Sequence, residues 1–406
     1  MISEVPSLAI RPSASRIETF SKLNAALVIL SLASVFILPS QSASSFITYF
    51  LALSVLVSAR ILWSDARDAA ALIGFIVVLL VYLPLTSFWS EPFSWRGFFS
   101  VSIRSFLVLA FILTFSVSLS RVVWFEMALS RTMSGCALTA ATAALIGYVR
   151  NPPWDGRLVG FGQLEVNVFA ALVFGVSLIF ALHLVLHDRG LWKLLGWIAV
   201  VVLACAVILS GSRNAWMSVT LGALVYLFSN RIRRPTLLLV WIALLVLVAA
   251  LFVVSLLQVN PESQALLLPR NDSFRLEIWS KIFDDVVEQG LWFGKGILSD
   301  NNVFSSGLEF LHPHSLYLTV FFDGGVLGIA LFLGLVVVTM RALIHTYQEP
   351  VAKLGLGVLF LALFGYSLDG WEVVDKVGST WLLLWMPVGI AIKLNMDRLQ
   401  PAMLLP

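Results

Sequence analysis

Charge is what this 406-residue sequence has least of. Asp, Glu, Lys and Arg together make up 12% of it, against about 25% in a soluble domain. With 59% hydrophobic residues and a mean hydropathy of +0.95, that scarcity excludes a water-soluble fold, because too little polar surface remains to cover the apolar side chains. Cysteine is nearly absent. Cys136 and Cys205 both lie inside apolar runs, which excludes a disulfide framework or a cysteine metal site and leaves small core-packing residues as the reading. Only five histidines occur. The polar stretch Met1 to Lys22 lacks the pattern of a cleavable signal, so the whole chain is read as one membrane domain over residues 1–406.

What the sequence does have is long apolar runs. A bilayer core takes about 20 apolar residues per helix. Runs of that kind occupy 23–39, 46–63, 69–88, 101–119, 127–148, 165–187, 192–209, 213–229, 235–257, 315–341, 353–369 and 379–395. They predict an all-α polytopic membrane protein with about 12 transmembrane helices. A short polar stretch runs from Arg150 to Gln163. A long one, 258–313, forms a loop between helices 9 and 10. Lys and Arg concentrate on the cytoplasmic side of membrane proteins. A cytoplasmic N-terminus fits that bias best, with Arg231-Ile232-Arg233-Arg234 as the strongest anchor. The long loop, the turn between helices 7 and 8 and the start of helix 10 are then periplasmic.

Those three places hold the residues that look like chemistry. The first is Ser210-Gly211-Ser212-Arg213-Asn214-Ala215-Trp216. An arginine at the mouth of an apolar hairpin is costly unless paired or wet. It reads either as a ligand-binding cation or as a side chain snorkelling to the interface. The second is His312-Pro313-His314-Ser315, leading into Leu316-Tyr317-Leu318 and then Asp323-Gly324-Gly325. A histidine where a polar loop enters a long apolar helix, near whose N-terminus Ser315 falls, can serve as a base near neutral pH. Two histidines one residue apart, with no obvious third ligand, do not make a zinc site. Asp323, about two and a half turns into that helix, faces either a structural hydrogen bond or the bundle interior. His183, His187 and His345 read as residues of the opposite, cytoplasmic interface.

The third place is the loop segment from Asp272 to Gly290. Phe274, Ile278, Ile282 and Val286 recur every fourth residue, flanked by Trp279, Phe283 and Val287. They predict an amphipathic helix capped by Asp272 or Ser273 and stopped by Gly290, lying across the mouth of the bundle. Arg275 falls in its first turn, where free N–H groups and the helix dipole favour anions; the alternative is a solvated surface arginine. Two arginines and a histidine at helix ends on one side of a membrane suit an anionic lipid headgroup and a proton to remove. Trp216, Trp279 and Tyr317 either stack on sugar or pack on lipid, and packing is the expectation.

With these motifs in view, the chain resembles the O-antigen ligase family of bacterial membrane proteins, which includes related polysaccharide polymerases. The segment Gly211 to Trp216, the Arg275-x-x-x-Trp279 spacing followed by Gly294-Lys295-Gly296, and the run from His314 to Gly325 are similar to that family's motifs. Arg270 is a second possible match for the loop arginine. Ser315 stands where the family usually has Asn, and Asp323 where it has Glu. The resemblance implies a membrane glycosyltransferase of the inner membrane, using neither nucleotide sugar, cofactor nor metal, with no nucleic-acid partner. Its donor is a glycan on undecaprenyl diphosphate, and its acceptor a hydroxyl of lipid A–core or of another lipid-linked repeat unit. It implies an inverting displacement with His314 as base and Arg213 and Arg275 neutralising the diphosphate. Trp279, Ser212, Asn214, His312 and Asp323 are expected around the substrate. A transporter of lipid-linked sugars is the rival from another class, and a structural assembly scaffold a weaker one.

Overall fold

The computed structural model describes the chain apart from residues 1–13, 67–68, 155, 232–274, 306–307, 311, 371 and 400–406. Twelve α-helices are seen among the described residues: α1 Ala14–Ile37, α2 Gln41–Ala66, α3 Ala70–Leu85, α4 Trp95–Arg121, α5 Phe125–Arg150, α6 Asn167–His187, α7 Gly190–Leu209, α8 Arg213–Arg231, α9 Arg275–Gln289, α10 Leu316–His345, α11 Pro350–Leu368 and α12 Met386–Leu399. The only sheet among these residues is a short antiparallel pair, β1 Val303–Ser305 and β2 Leu308–Phe310, with Phe304 opposite Glu309. The protein is thus an all-α polytopic membrane protein.

Eight helices among the described residues are long and apolar enough to cross a bilayer: α1, α3 with the turn after it, α4, α5, α6, α7, α10 and α11. The expected second span is α2, whose apolar part within the described residues is Gln41–Leu56. The expected eighth span is α8, which carries Arg213, Asn214, Ser218, Ser229 and Arg231 along its length and falls outside the eight. The expected span 235–257 lies outside the described residues. The last, 379–395, is a single π turn, Trp381–Trp385, running into α12.

Helix α6 is the hub, with 94% of its apolar window buried, so its sequence is apolar all round rather than along one stripe. Helices α8 and α11 pack backbone to backbone. A Cβ on Gly222 would meet the Gly357 carbonyl oxygen at 2.7 Å, and one on Gly357 would meet that of Gly222 at 3.1 Å. Small residues at helix crossings permit this approach in membranes. The consequence is local precision: the first turn of α8 is held against the last turn of α11.

Alternating helix directions collect two sets of turns. One end of the bundle holds the α1–α2 turn, the end of α3, the 150–163 stretch, the α7–α8 turn, α9 and the segment following α11. Hydrogen bonds tie these together: Leu158 N–H to the Leu209 carbonyl at 2.8 Å, Gln163 Nε2 to the Ser34 carbonyl at 3.3 Å, and Leu298 N–H to Ser90 Oγ at 3.0 Å. The opposite end carries a different polar centre. There Arg131, expected within a span, sits near the start of α5 and pairs with Asp188 at 2.8 Å. His183 corrects its expected interfacial placement. It is fully buried, contacting Tyr226 Oη at 3.0 Å and Glu126 Oε1 at 3.1 Å, because its position faces α8 and α5 at the core of the hub. His187 and His345 are exposed as expected. Cys136 is half-buried, but Cys205 is exposed on α7, which corrects its reading as a core residue.

Candidate active site

The site is built from breaks in regular structure. Helix α9 forms as the four-residue apolar period requires: Ile278, Ile282 and Val286 are buried against Phe322 of α10, with Trp279, Leu318 and Phe321 around them. Its end at Gly290 is marked by the Gly290 N–H bonding the Val286 carbonyl at 2.8 Å. The expected cap residues Asp272 and Ser273, together with Phe274 and Arg270, lie outside the described residues. Trp279 points its Nε1–H at the Pro313 carbonyl, 2.9 Å away. That bond fastens the first turns of α9 to the turn bearing the two histidines.

Helix α10 kinks at Gly325, whose φ of 61° and ψ of −156° are not helical. The loop after α9 fills the kink. Lys295 N–H reaches the Phe322 carbonyl at 2.7 Å, Gly296 N–H the Asp323 carbonyl at 3.1 Å, and Val326 N–H the Leu291 carbonyl at 2.8 Å. Carbonyls and amides freed by the kink are satisfied by the crossing strand, as a low-dielectric setting demands. The approach is so close that a Cβ on Gly294 would lie 2.5 Å from the Asp323 carbonyl carbon, and one on Gly325 2.5 Å from Gly294 N. Gly294-Lys295-Gly296 and Gly324-Gly325 therefore serve a backbone crossing. Its outcome is to hold Asp323, 8% exposed, at one wall of a cavity of about 340 Å³. His312, Thr319 and Glu372 share that wall.

His314 is the one residue other than glycine with positive φ (52°) among the described residues. A left-handed backbone at a bulky residue stores strain that surrounding structure must hold in place. Here its neighbours are Ser315, the buried N-cap of α10, and His312, whose ring centroid is 4.1 Å from that of His314. Across from it stands Asp369, 5% exposed, with Oδ1 3.5 Å from His314 Nδ1. That carboxylate also accepts from Gly370 N–H at 2.9 Å. Burial among these groups holds the His312 imidazole down to about 4, with His314 beside it adding to the effect, so His312 is neutral at pH 7. Ligand atoms of His312, His314 and Asp369 lie within 4.8 Å of one another, a spacing that could hold a cation. The fold thus brings Asp369, which the sequence alone did not mark, beside the two histidines.

The α7–α8 turn reaches the same place through α11. Asn214 Nδ2 donates to the Gly365 carbonyl at 3.0 Å, and Asp369 N–H donates to that same carbonyl at 3.1 Å. Asn214 is therefore bonded to the turn of helix that carries the partner of His314. Ser212, buried, accepts from Ala215 N–H at 3.3 Å. Both residues use polar atoms inside the protein and so fix the position of Arg213, whose side chain is exposed. Arg275 is half-buried, with Nε shielded from solvent and without a hydrogen-bond partner. Trp216 Nε1 bonds the Val207 carbonyl at 2.8 Å and Tyr317 Oη the Leu363 carbonyl at 2.9 Å, so the polar atoms of both side chains are tied to the protein.

Three polar residues escaped the sequence reading: Asp369, Glu372 and Arg104. Arg104 Nη1 pairs with Glu372 Oε2 at 3.0 Å. Burial, with Asp375 next to it, pushes the Glu372 carboxyl up to about 7. A signal for them existed, since Arg104 interrupts an apolar run and such a charge demands a partner.

Comparison with known proteins agrees with this architecture. A family described as O-Antigen ligase matches residues 198–333, the stretch that holds Arg213, Arg275, His314 and Asp323. An O-antigen ligase of Pseudomonas aeruginosa is 27% identical over 258 residues, which cover 63% of this chain and 61% of that protein. The chain thus aligns with somewhat under two thirds of its relative's length. In its fold and motifs, and in these likenesses, the chain is similar to the O-antigen ligase family, most directly over residues 198–333.

Proposed function

We propose that this protein is an O-antigen ligase-type glycosyltransferase of the bacterial inner membrane. It transfers a glycan from undecaprenyl diphosphate to a hydroxyl of lipid A–core on the periplasmic face, by a single inverting displacement without a metal. The observation that carries this reading is the linkage of all three motifs. Asn214 beside Arg213, Trp279 beside Arg275, and His314 are each bonded to the last turn of α11 or to the histidine turn, directly or through one neighbour.

In the mechanism, the two arginines meet the diphosphate. Charge grows on the bridging oxygen as the anomeric bond breaks, and fixed cations in a poorly solvated site stabilise that growth more than they stabilise the ground state. The unpartnered Nε of Arg275 suits an anion that arrives with substrate. His314 takes the proton of the attacking hydroxyl. Asp369 faces its Nδ1, which orients the ring and leaves Nε2 to act as base. Neutral His312 adds no competing charge. Ser212 and Asn214 hold the arginine turn, and Asp323 lies in the cleft wall.

A transporter is disfavoured by where the charges sit. Arg213, Arg275, His312 and His314 are at or next to helix ends, and of the charged groups described at this end only Arg104 and Asp323 lie well inside the apolar spanning helices. The test is complementation of a ligase-deficient strain supplied with its cognate glycan. Wild-type protein should attach polymer to lipid A–core on gels. His314→Ala should cost about 10²–10⁴-fold at normal protein level, and Arg213→Ala and Arg275→Ala should each abolish most transfer. Purified enzyme should keep its activity in EDTA. Unattached polymer with the wild-type gene would overturn the reading, and chain extension of single repeats would assign polymerisation instead.

A further inference from the structure

An inverting displacement needs two substrates at once, the leaving group on one face of the anomeric carbon and the hydroxyl on the other. The base must therefore look into a second compartment. One exists. A hollow of about 390 Å³ shares Glu372 as a wall with the cleft of His312 and Asp323. It is formed by the α1–α2 turn, the turn before α6 and the segment from Gly370 to Thr380. Gly370, part of this wall, is hydrogen-bonded to the Asp369 oxygen that faces His314.

The lining is chemically mixed. Val35, Val166, Phe169 and Val173 are apolar, and Gln163, Tyr366, Glu372, Asp375 and Lys376 are polar or charged. Two buried polar atoms here make no hydrogen bond of good geometry: Gln163 Oε1, and Tyr366 Oη, on a side chain 2% exposed, which has the Thr380 side chain as its one polar neighbour. Buried polar atoms of native proteins are nearly always paired, so each exception calls for an explanation. Gln163 is held by its other end, Nε2, on the Ser34 carbonyl and Ser44. Asp375 is held by Gln41 Nε2 at 3.1 Å and by the Lys376 N–H at 2.6 Å. Glu372 is paired with Arg104 and Asp375 stands beside Lys376, so no surplus cation is left here for a diphosphate. Its size falls in the ordinary range for small-molecule pockets, about 300–1,000 Å³. A lining that combines apolar side chains with fixed donors and acceptors matches a sugar ring, whose C–H face is apolar and whose hydroxyls need both kinds of partner.

We propose that this hollow is the acceptor-sugar subsite, which takes an uncharged pyranose with adjacent free hydroxyls and presents one of them to His314. The assignment rests on the transferase reading above.

The test uses full-length protein in detergent and two probes, delipidated core oligosaccharide and the oligosaccharide of the O-antigen repeat, followed by saturation-transfer NMR. Tyr366→Phe removes a single oxygen whose one polar neighbour in the protein is the Thr380 side chain. Its melting temperature should hold or rise, whereas a structural tyrosine would lower it. One oligosaccharide should give a signal with wild type, and that signal should weaken about tenfold with Tyr366→Phe and with Asp375→Asn, the effect of one lost hydrogen bond. In transfer assays the acceptor KM should rise by a similar factor while donor KM does not follow. No signal from either probe, or equal binding by wild type and variants, overturns the subsite. Transfer whose acceptor KM ignores both substitutions removes the subsite and leaves the transferase. Tyr366-dependent binding without any transfer does the reverse.

Discussion

Residues around His314 owe their properties to being withdrawn from water near one another, and Glu372 shows this best. Its carboxyl has an ordinary value of 4.5 and is raised to about 7 by burial and by Asp375, against the opposing pull of Arg104. A carboxyl raised by folding binds its proton more tightly in the native state than in the unfolded one. Its contribution to stability is then fully present below pH 4.5 and lost as pH rises through 7. Because 37% of the side chain remains exposed, solvent screening moderates the loss. The expected outcome is a melting temperature that falls for wild type between pH 5 and pH 8, with a shallower fall for Glu372→Gln, which cannot ionise. Equal slopes in differential scanning fluorimetry would contradict the assignment. His312, held down to about 4 from its ordinary 6.5, takes a proton only in the unfolded chain below 6.5, which raises stability with pH there; that contribution is common to both proteins and drops out of the difference between their slopes.

Among the elements, the kink of α10 and the loop that crosses it decide whether the cleft forms. Gly325→Ala would place a Cβ 2.5 Å from the backbone of Gly294 and Trp292 at a φ of 61°, in a region of backbone space that costs about 1–3 kcal/mol for other residues even without a clash. Gly325→Ala should therefore lower the melting temperature and abolish transfer together. Gly74→Ala, with nothing within 4 Å of its added carbon, should change neither. Equal behaviour of the two variants would remove the crossing from the account. The elements differ in how far sequence revealed them. Helix α9 was legible because burial on one face writes a four-residue period into Ile278, Ile282 and Val286. The histidine turn was legible because polar residues at the mouth of an apolar helix are rare. The crossing was not, since a Gly-x-Gly and a Gly-Gly separated by 27 residues carry no mark that they meet. Asp369 was hidden for a related reason: an acid just past an apolar helix reads as an interfacial end, and only the return of α11 beside α8 brings it to His314. His183 was misplaced because burial inside a hub helix leaves no period to distinguish it from an interface residue.

At the scale of the whole molecule, every proposed step depends on which side of the membrane the linked motifs occupy. The two ends of the bundle differ chemically. One gathers the two cavities, Arg213, Arg275 and His314. The other gathers the Arg131–Asp188 pair, the buried His183, and helix ends bearing Arg121, Arg189 and Arg231. In the proposed orientation the second end, with its positive bias, faces the cytoplasm, and the proposed lipid-linked donor is met at the first. Two exposed residues report on the two ends. Trp154, 98% exposed, lies in the stretch that bonds the α7–α8 turn through Leu158 and through Arg157 Nε to the Ser210 carbonyl at 3.0 Å. Val123, fully exposed, lies in the α4–α5 turn at the far end. In a background with Cys136→Ser and Cys205→Ser, Trp154→Cys should react with a membrane-impermeant maleimide once the outer membrane is made permeable. Val123→Cys should react only after the inner membrane is broken. Neither position touches the cavities, so both proteins should still complement, which keeps the labelling a property of the active fold. The opposite pattern would turn the arginines and His314 toward the cytosol. A periplasmic ligase would then be ruled out even with every hydrogen bond of the site intact.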